Sequence, residues 1–343
     1  MKIPGKLVLL AVSSAAWLLL LEVPSAYWVE KWGDPLDKTR PVLMANGELG
    51  WCQRPGLNCR FFGVSLRTDA LGWRVGPATV SGQASRTVLV LGPSSTFGRG
   101  MEYGHTYSSF LEETLNNEYA PERVRVINAG QIGFSSWQGL KFYQMTGLEK
   151  LKADVLVIAY GVNDVDRFRF YFNSSLSDKE EFAVPKNPVS VFLQNALLRF
   201  HFIHLASRYG SRLLEPFRRG AAMGSVRRVD DDDFERNIRA LVRLGRTNGS
   251  KIVLLTTAHH LPPSGAGEMT SVIASDIQNI NDRVRKLAVV EDVPVADIEK
   301  DLAVAGEEGV FLDPVHFSEK GNKKIAEILA GVIRGGDLLK KGS

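Results

Sequence analysis

The chain is short of the side chains that build metal sites and disulfide scaffolds. It has two cysteines and six histidines in 343 residues. Two thiols are too few for a structural zinc site, and no histidines recur at ligand spacing. No metal and no other cofactor is therefore expected. A surplus of one charge is also lacking: 42 Lys and Arg face 38 Asp and Glu, a net +4. Nucleic-acid binders usually cluster their Lys and Arg, so nucleic acid is not expected as a partner, whereas a small basic excess suits an anionic membrane surface. Internal repeats and low-complexity tracts are missing too. With 44% apolar and 23% charged residues, the composition is that of a globular protein and excludes a disordered or fibrous one.

One long apolar run is present. Lys2 and Lys6 precede residues 7–21; Glu22 ends the run and Val23-Pro24-Ser25-Ala26 follows. A basic start, an apolar stretch and small residues read as a secretory signal. The run is about 15 residues, against roughly 20 for a spanning helix, but Tyr27, Trp28 and Val29 would carry it to the far interface, where Trp and Tyr are favoured. Residues 1–29 are thus expected to be a hydrophobic helix serving as a cleaved signal peptide or as an uncleaved membrane anchor. Either places the rest outside the cytoplasm, anchored by the N-terminus or secreted or periplasmic after cleavage. In an oxidising compartment Cys52 and Cys59, with Pro55 and Gly56 between them, would be able to close a small disulfide loop; two unbridged thiols are the alternative.

Residues 30–86 read as an irregular N-terminal arm. From residue 87 the pattern changes. Residues 87–92, 124–130, 155–161, 251–257 and 293–298 are short apolar runs, most of them ending in turn residues. Continuous apolar strands suit a parallel sheet covered on both faces. Helical patterns lie between them, at residues 107–116, 135–151, 234–247 and 272–290. The alternation predicts a three-layer α/β/α domain over residues 87–334, with a mainly parallel five-stranded sheet and ligands at the carboxyl ends of its strands. Residues 166–228 interrupt it as a helical insertion or lid, with aromatic and basic stretches at 167–172 and 197–219, and residues 335–343 form a polar tail. The acidic run Asp230–Asp233 reads as a helix cap rather than a metal site.

Four clusters fall at strand ends. Gly92-Pro93-Ser94-Ser95-Thr96-Phe97-Gly98 follows the first strand; a serine in a strand-to-helix turn exposes its hydroxyl at the top of the sheet, although most serines in such turns only cap helices. Asn128-Ala129-Gly130-Gln131-Ile132-Gly133 follows the second, and a glycine there is able to turn a backbone N–H into the cleft. Gly161-Val162-Asn163-Asp164 follows the third and offers an amide donor to a developing oxyanion. Asp313-Pro314-Val315-His316 lies near the C-terminus, at a spacing that puts carboxylate and imidazole on one side of a turn.

The ordered set resembles the SGNH (GDSL-type) hydrolase superfamily over about residues 87–334. The resemblance implies an SGNH, flavodoxin-like fold. It also implies a nucleophilic Ser94, an Asp313–His316 pair completing the triad, and an oxyanion hole of the Ser94 and Gly133 N–H groups with Asn163. The family's name motif has Asp before the nucleophile, where this chain has Pro93. Ser95 is the competing nucleophile; the motif register favours Ser94. The expected function is serine-dependent hydrolysis of an O-acyl ester of envelope carbohydrate or lipid, with the membrane as a partner through the N-terminal segment. The alternatives are O-acyl transfer to a secreted polysaccharide and a catalytically degenerate glycan-binding or assembly protein.

Overall fold

The computed structural model describes residues 5–33, 38–76, 84–166, 176–197, 200–214, 226–261, 268–305 and 308–340. In chain order the elements are α1 (Gly5–Trp32), β1 (Leu43–Asn46), β2 (Gly50–Gln53), β3 (Asn58–Phe61), β4 (Val64–Arg67), β5 (Arg86–Leu91), α2 (Ser94–Phe97), α3 (Tyr107–Glu118), β6 (Val124–Asn128), α4 (Ser136–Met145) and β7 (Val155–Ile158). There follow α5 (Asp178–Glu181), α6 (Pro188–Leu197), α7 (His201–Leu214), α8 (Asp231–Thr247), β8 (Lys251–Leu255), α9 (Glu268–Val290), β9 (Val295–Ala296), α10 (Ile298–Ala305) and α11 (Glu319–Gly335). They form two compact units.

The first unit comprises Met1–Trp51 and Pro185–Ala222. Helix α1 meets α7 through Glu22 and His201, 2.6 Å apart, and through Trp28 and Tyr209, edge to face at 6.0 Å. Asn195 of α6 brackets Ala45 of β1: its carbonyl accepts from the Ala45 N–H at 2.7 Å and its amide donates to the Ala45 carbonyl at 3.0 Å. Trp17, Leu19, Leu20 and Val23 of α1 are exposed, as are Val189, Phe192 and Leu193 of α6. Ser13, Ser14, Glu22 and Pro24 interrupt the apolar run of α1, and among the described residues no helix is long and apolar enough to cross a membrane. The 167–172 stretch, and residues 198–199 and 215–219 of the basic stretch, lie outside the described residues.

The second unit comprises Cys52–Val184 and Met223–Ser343. Its five strands run in the order β6-β5-β7-β8-β9, all parallel. The expected sheet is present. Alternate residues of each strand face opposite ways, and here both faces are buried. Val88, Val90, Val155 and Val157 meet Leu111 and Leu115 of α3 and Ile325 and Leu329 of α11. Leu89, Leu91, Leu156 and Ile158 are buried on the other face, the side of α8 and α9. That is why these strands read as unbroken apolar runs. Strand β5 sends its chain to β6 on one side, and β7 pairs with its other side. The order therefore reverses at β5, and in such sheets ligands bind outside the carboxyl ends at the reversal.

The arm expected to be irregular contains strands. β3 and β4 form an antiparallel hairpin pairing Cys59 with Leu66. Of the two alternatives for the cysteines the structure has the second: Cys52 and Cys59 are not bridged to each other. Cys52 lies on β2, in a sheet with β1, while Cys59 lies on β3, in a different sheet. The turn between them is tied to the far side of the β3–β4 hairpin, with the Gly56 N–H on the Asp69 carbonyl at 2.9 Å and the Leu57 N–H on Thr68 Oγ1 at 2.9 Å.

Candidate active site

β5 ends at Leu91, and Gly92-Pro93 turns the chain into the single-turn helix α2. Gly92 has no room for a side chain: a Cβ there would lie 2.0 Å from Thr96 Oγ1 and 2.9 Å from the Ala159 carbonyl. Pro93 stands at the N-cap, with its carbonyl accepting from the Phe97 N–H at 3.0 Å. A residue there needs no N–H for the helix, so proline in place of aspartate leaves the turn intact. Gly98 closes α2 in the left-handed conformation, φ 79°.

Ser94 is buried, and its Oγ lies 2.7 Å from His316 Nε2. The hydroxyl that faces the imidazole is that of Ser94, not Ser95. His316 Nδ1 lies 2.8 Å from both carboxylate oxygens of Asp313. Asp313 Oδ1 also accepts from the Val315 and His316 N–H groups, each at 3.0 Å. This is the side-chain turn that Asp favours, and it orients the carboxylate before any long-range contact is made. The loop is fastened at its base by the Leu312 N–H to the His316 carbonyl at 2.8 Å, and at its tip by the His260 N–H to the Pro314 carbonyl at 2.8 Å. Ser318 caps α11 immediately after it.

The loop after β6 lies directly on α2. Asn128 Nδ2 donates to the Thr96 carbonyl at 2.7 Å, and the Gln131 N–H to the Gly92 carbonyl at 2.9 Å. A Cβ on Gly130 would sit 2.4 Å from the Phe97 nitrogen. Gly133 has φ 76°, a conformation that glycine adopts without strain. The loop after β7 joins it: one N–H of the Asn163 amide donates to the Phe134 carbonyl at 2.9 Å, which leaves the amide's second N–H for another acceptor.

Residues 90–324 match the GDSL-like lipase/acylhydrolase family. The chain belongs to that family. Three solved structures are similar to it. A lipase/acylhydrolase from Enterococcus faecalis is 18% identical, with 75% of this chain and 99% of that one covered and a TM-score of 0.48. An acetyl xylan esterase is 19% identical over 72% and 99%, with a TM-score of 0.47. An acetyl-xylooligosaccharide esterase from Geobacillus is 17% identical over 73% and 94%, with a TM-score of 0.47. No curated protein matches the chain.

The electrostatics of this acylhydrolase site set Asp313 and His316 apart. Burial works upward on Asp313, but the hydrogen bond and charge of His316, the Val315 N–H and Arg99 outweigh it and hold the carboxyl down at about 2. Burial pulls His316 below its ordinary value and Arg99 adds to this, against the opposing pull of Asp313. The imidazole is therefore neutral at neutral pH, as a general base must be. Asp164 is fully buried, and burial pushes its carboxyl up to about 7 against its hydrogen bonds with Ser136.

Several side chains around the site carry no sequence motif. Buried Arg74 donates Nη1 to the Phe97 and Gly98 carbonyls, at 2.9 and 2.5 Å, and Nη2 to the Met101 carbonyl, so it clamps the end of α2. Buried Arg228 donates Nη1 to the Gly133 carbonyl at 2.7 Å and Nη2 to Gln138 Oε1 at 2.6 Å. It pairs with Asp178 through Nε at 3.1 Å and Nη2 at 2.8 Å. Asp178 in turn accepts from the Ser135 hydroxyl at 2.6 Å. Arg99 brings Nη1 to 3.2 Å from His316 Nδ1, with its guanidinium 4.2 Å over the Phe62 ring. Of these, Arg99 was within reach of sequence reasoning, since it adjoins Gly98 in the nucleophile turn. His259 and His260 follow β8. His260 supports the Asp313 loop and stacks on Phe311 at 5.8 Å, while His259 Nδ1 accepts from the Leu261 N–H at 3.3 Å. Neither faces Ser94 in the way His316 does. Among the described residues no group of His, Cys, Asp and Glu is arranged to hold a metal ion.

Proposed function

We propose that this acylhydrolase is a serine esterase that cleaves O-acyl esters of envelope carbohydrate or lipid through a covalent acyl-serine. The observation that carries the reading is the unbroken chain from Ser94 Oγ through the two ring nitrogens of His316 to Asp313, 2.7 and 2.8 Å long at its two links. With Nε2 accepting the Ser94 hydroxyl proton, Nδ1 must hold the ring's own proton and donate it to Asp313. That tautomer is the one the base needs.

Ser94 Oγ attacks the ester carbonyl while His316 Nε2 takes its proton. The imidazolium so formed is stabilised by Asp313. The carbonyl oxygen becomes an oxyanion, and three donors are assigned to it: the Ser94 N–H, the Gly133 N–H and the second N–H of Asn163. Ser94 opens α2, so its N–H has no partner within the helix. Collapse breaks the bond to the alcohol, which leaves with the proton from His316. Water then gives its proton to His316 and attacks the acyl-serine, and return of that proton to Ser94 releases the acid.

The apolar residues exposed on α1 and α6 support a site of action beside a membrane, outside the cytoplasm, in line with the basic start and apolar run at the N-terminus. A fluorophosphonate probe tests the chemistry. It is expected to label the wild-type protein at Ser94 and to leave Ser94→Ala unlabelled. No label on the wild type, or equal label on Ser94→Ala, rules out the acyl-serine.

A further inference from the structure

Arg99 occupies an unusual place for a cation. Its Nη1 lies 3.2 Å from His316 Nδ1, 3.5 Å from Nε2 and 3.6 Å from Asp313 Oδ2. In the tautomer that serves Ser94, Nδ1 carries a proton and spends it on Asp313. Guanidinium is a donor only, so it has nothing to bond to on that nitrogen. Its Nε is buried with no acceptor. Asp313 already takes N–H groups from Val315, His316 and the ring.

The cation is nonetheless held there. Its backbone N–H binds the Ser94 carbonyl at 3.0 Å. The tip of the β3–β4 hairpin supplies Phe62 beneath the guanidinium, and neighbouring Phe61 packs edge-on against Phe97 at 6.4 Å. Phe62 sits at φ 52°, a strained conformation for a side chain of its size, held by the hairpin. When His316 accepts the Ser94 proton, two cations stand about one hydrogen-bond length apart. Asp313, 3.6 Å from Nη1, offsets part of that repulsion, and a negative group brought by the substrate to the exposed part of the guanidinium would offset more of it at the moment it arises.

We infer that Arg99 makes this site selective for esters that carry a carboxylate close to the scissile bond, such as O-acylated acidic sugars. The inference rests on the acyl-serine mechanism above and names its substrate class. The charged and polar groups facing the imidazole, among the described residues, are Asp313 from its own loop and Ser94 and Arg99 from the nucleophile turn.

Matched pairs test it: 3- and 4-acetoxybenzoate against their neutral methyl esters. The wild type is expected to prefer at least one carboxylate member by about tenfold in kcat/KM, and the preference should shrink as salt is raised. In Arg99→Gln the ratio falls to near one, and in Arg99→Lys a large part of it remains. A second reading separates charge from scaffolding: the acid limb of kcat/KM on the neutral ester moves to higher pH in Arg99→Gln, because a cation has left the imidazole. No preference in the wild type, or an equal preference in Arg99→Gln, overturns the inference while esterase activity stands. Failure to cleave any ester, together with no fluorophosphonate label, overturns the acyl-serine reading and this inference with it.

Discussion

Arg74 and Arg228 are both almost wholly buried, and they brace opposite sides of one site by different chemistry. Arg74 is 3% exposed and Arg228 1%. Arg74 holds the nucleophile side, and its partners are the carbonyls of Phe97, Gly98 and Met101. Burial pulls its guanidinium down to about 10, with Glu102 working the other way. Arg228 holds the side of the proposed oxyanion hole, through the Gly133 carbonyl. Burial pulls it down as well, but the fully buried Asp178 reverses the balance and the net shift is upward. Carbonyls fix the position of a charge without neutralising it, whereas a carboxylate does both. The side that must hold Gly133 has the neutralised brace, and the side that holds a single helical turn manages with dipoles.

Four outcomes break or sharpen that contrast. The largest is expected on the nucleophile side: Asp313→Asn keeps the fold but favours the wrong imidazole tautomer, and kcat should fall about 10⁴-fold in a steady-state assay. An effect below tenfold would remove Asp313 from the role of holding the imidazole tautomer. Next is Arg228→Met, which strands the buried Asp178 carboxylate. Urea unfolding should show a loss of about 3–5 kcal/mol, and adding Asp178→Asn should restore part of it. Arg74→Met leaves carbonyls rather than a charge uncompensated, so its expected cost is smaller, about 1–3 kcal/mol. If Arg74→Met costs as much as Arg228→Met, the distinction between the two braces fails.

The smallest effect concerns pH. The folded His316 pKa lies below its ordinary 6.5, so the acid limb of kcat/KM should have its midpoint below pH 6.5. The sign for stability follows from the same shift. A histidine that binds its proton less readily when folded stabilises the protein above the unfolded value and loses that contribution as pH falls through the folded one. Asp313 acts lower down: held at about 2 against an ordinary 3.8, it stabilises above about pH 4 and loses this toward pH 2. A rate profile flat from pH 7 down to pH 4 would remove His316 from the base role.

The sheet was legible because its strands are buried on both faces. Residues such as Val88, Leu89, Val90 and Leu91 leave no room for alternation, and a run of that kind between helical patterns has few other readings. The positions of Ser94, Gly133 and Asn163 beyond strand ends followed from it, while Asp313–His316 lies past α10, in the loop that leads into α11. The β3–β4 hairpin carried a weaker mark: Cys59, Phe61, Val64 and Leu66 alternate with Asn58, Arg60, Ser65 and Arg67, but strands of four residues give the two-residue period little length in which to stand out. Arg228 and Asp178 stand 50 residues apart with no motif between them, and a pair so separated becomes visible only after folding. The cysteines stayed ambiguous for a related reason: eight residues that include a proline and a glycine are compatible with a closed loop, but the strands at its ends belong to different sheets. The grouping of residues 185–222 with the N-terminal segment likewise left no local mark.

The proposed triad divides unequally along the chain. Asp313 and His316 stand three residues apart on one side-chain-bonded turn, whereas Ser94 and His316 stand 222 apart. Closing the short contact costs little chain entropy, while the long one waits for most of the sheet. Asp313 and His316 therefore form a small module able to exist early in folding, and Ser94 joins it only when β5 has found its neighbours. Labelling of Ser94 during refolding would then report the assembly of the sheet rather than that of the catalytic turn.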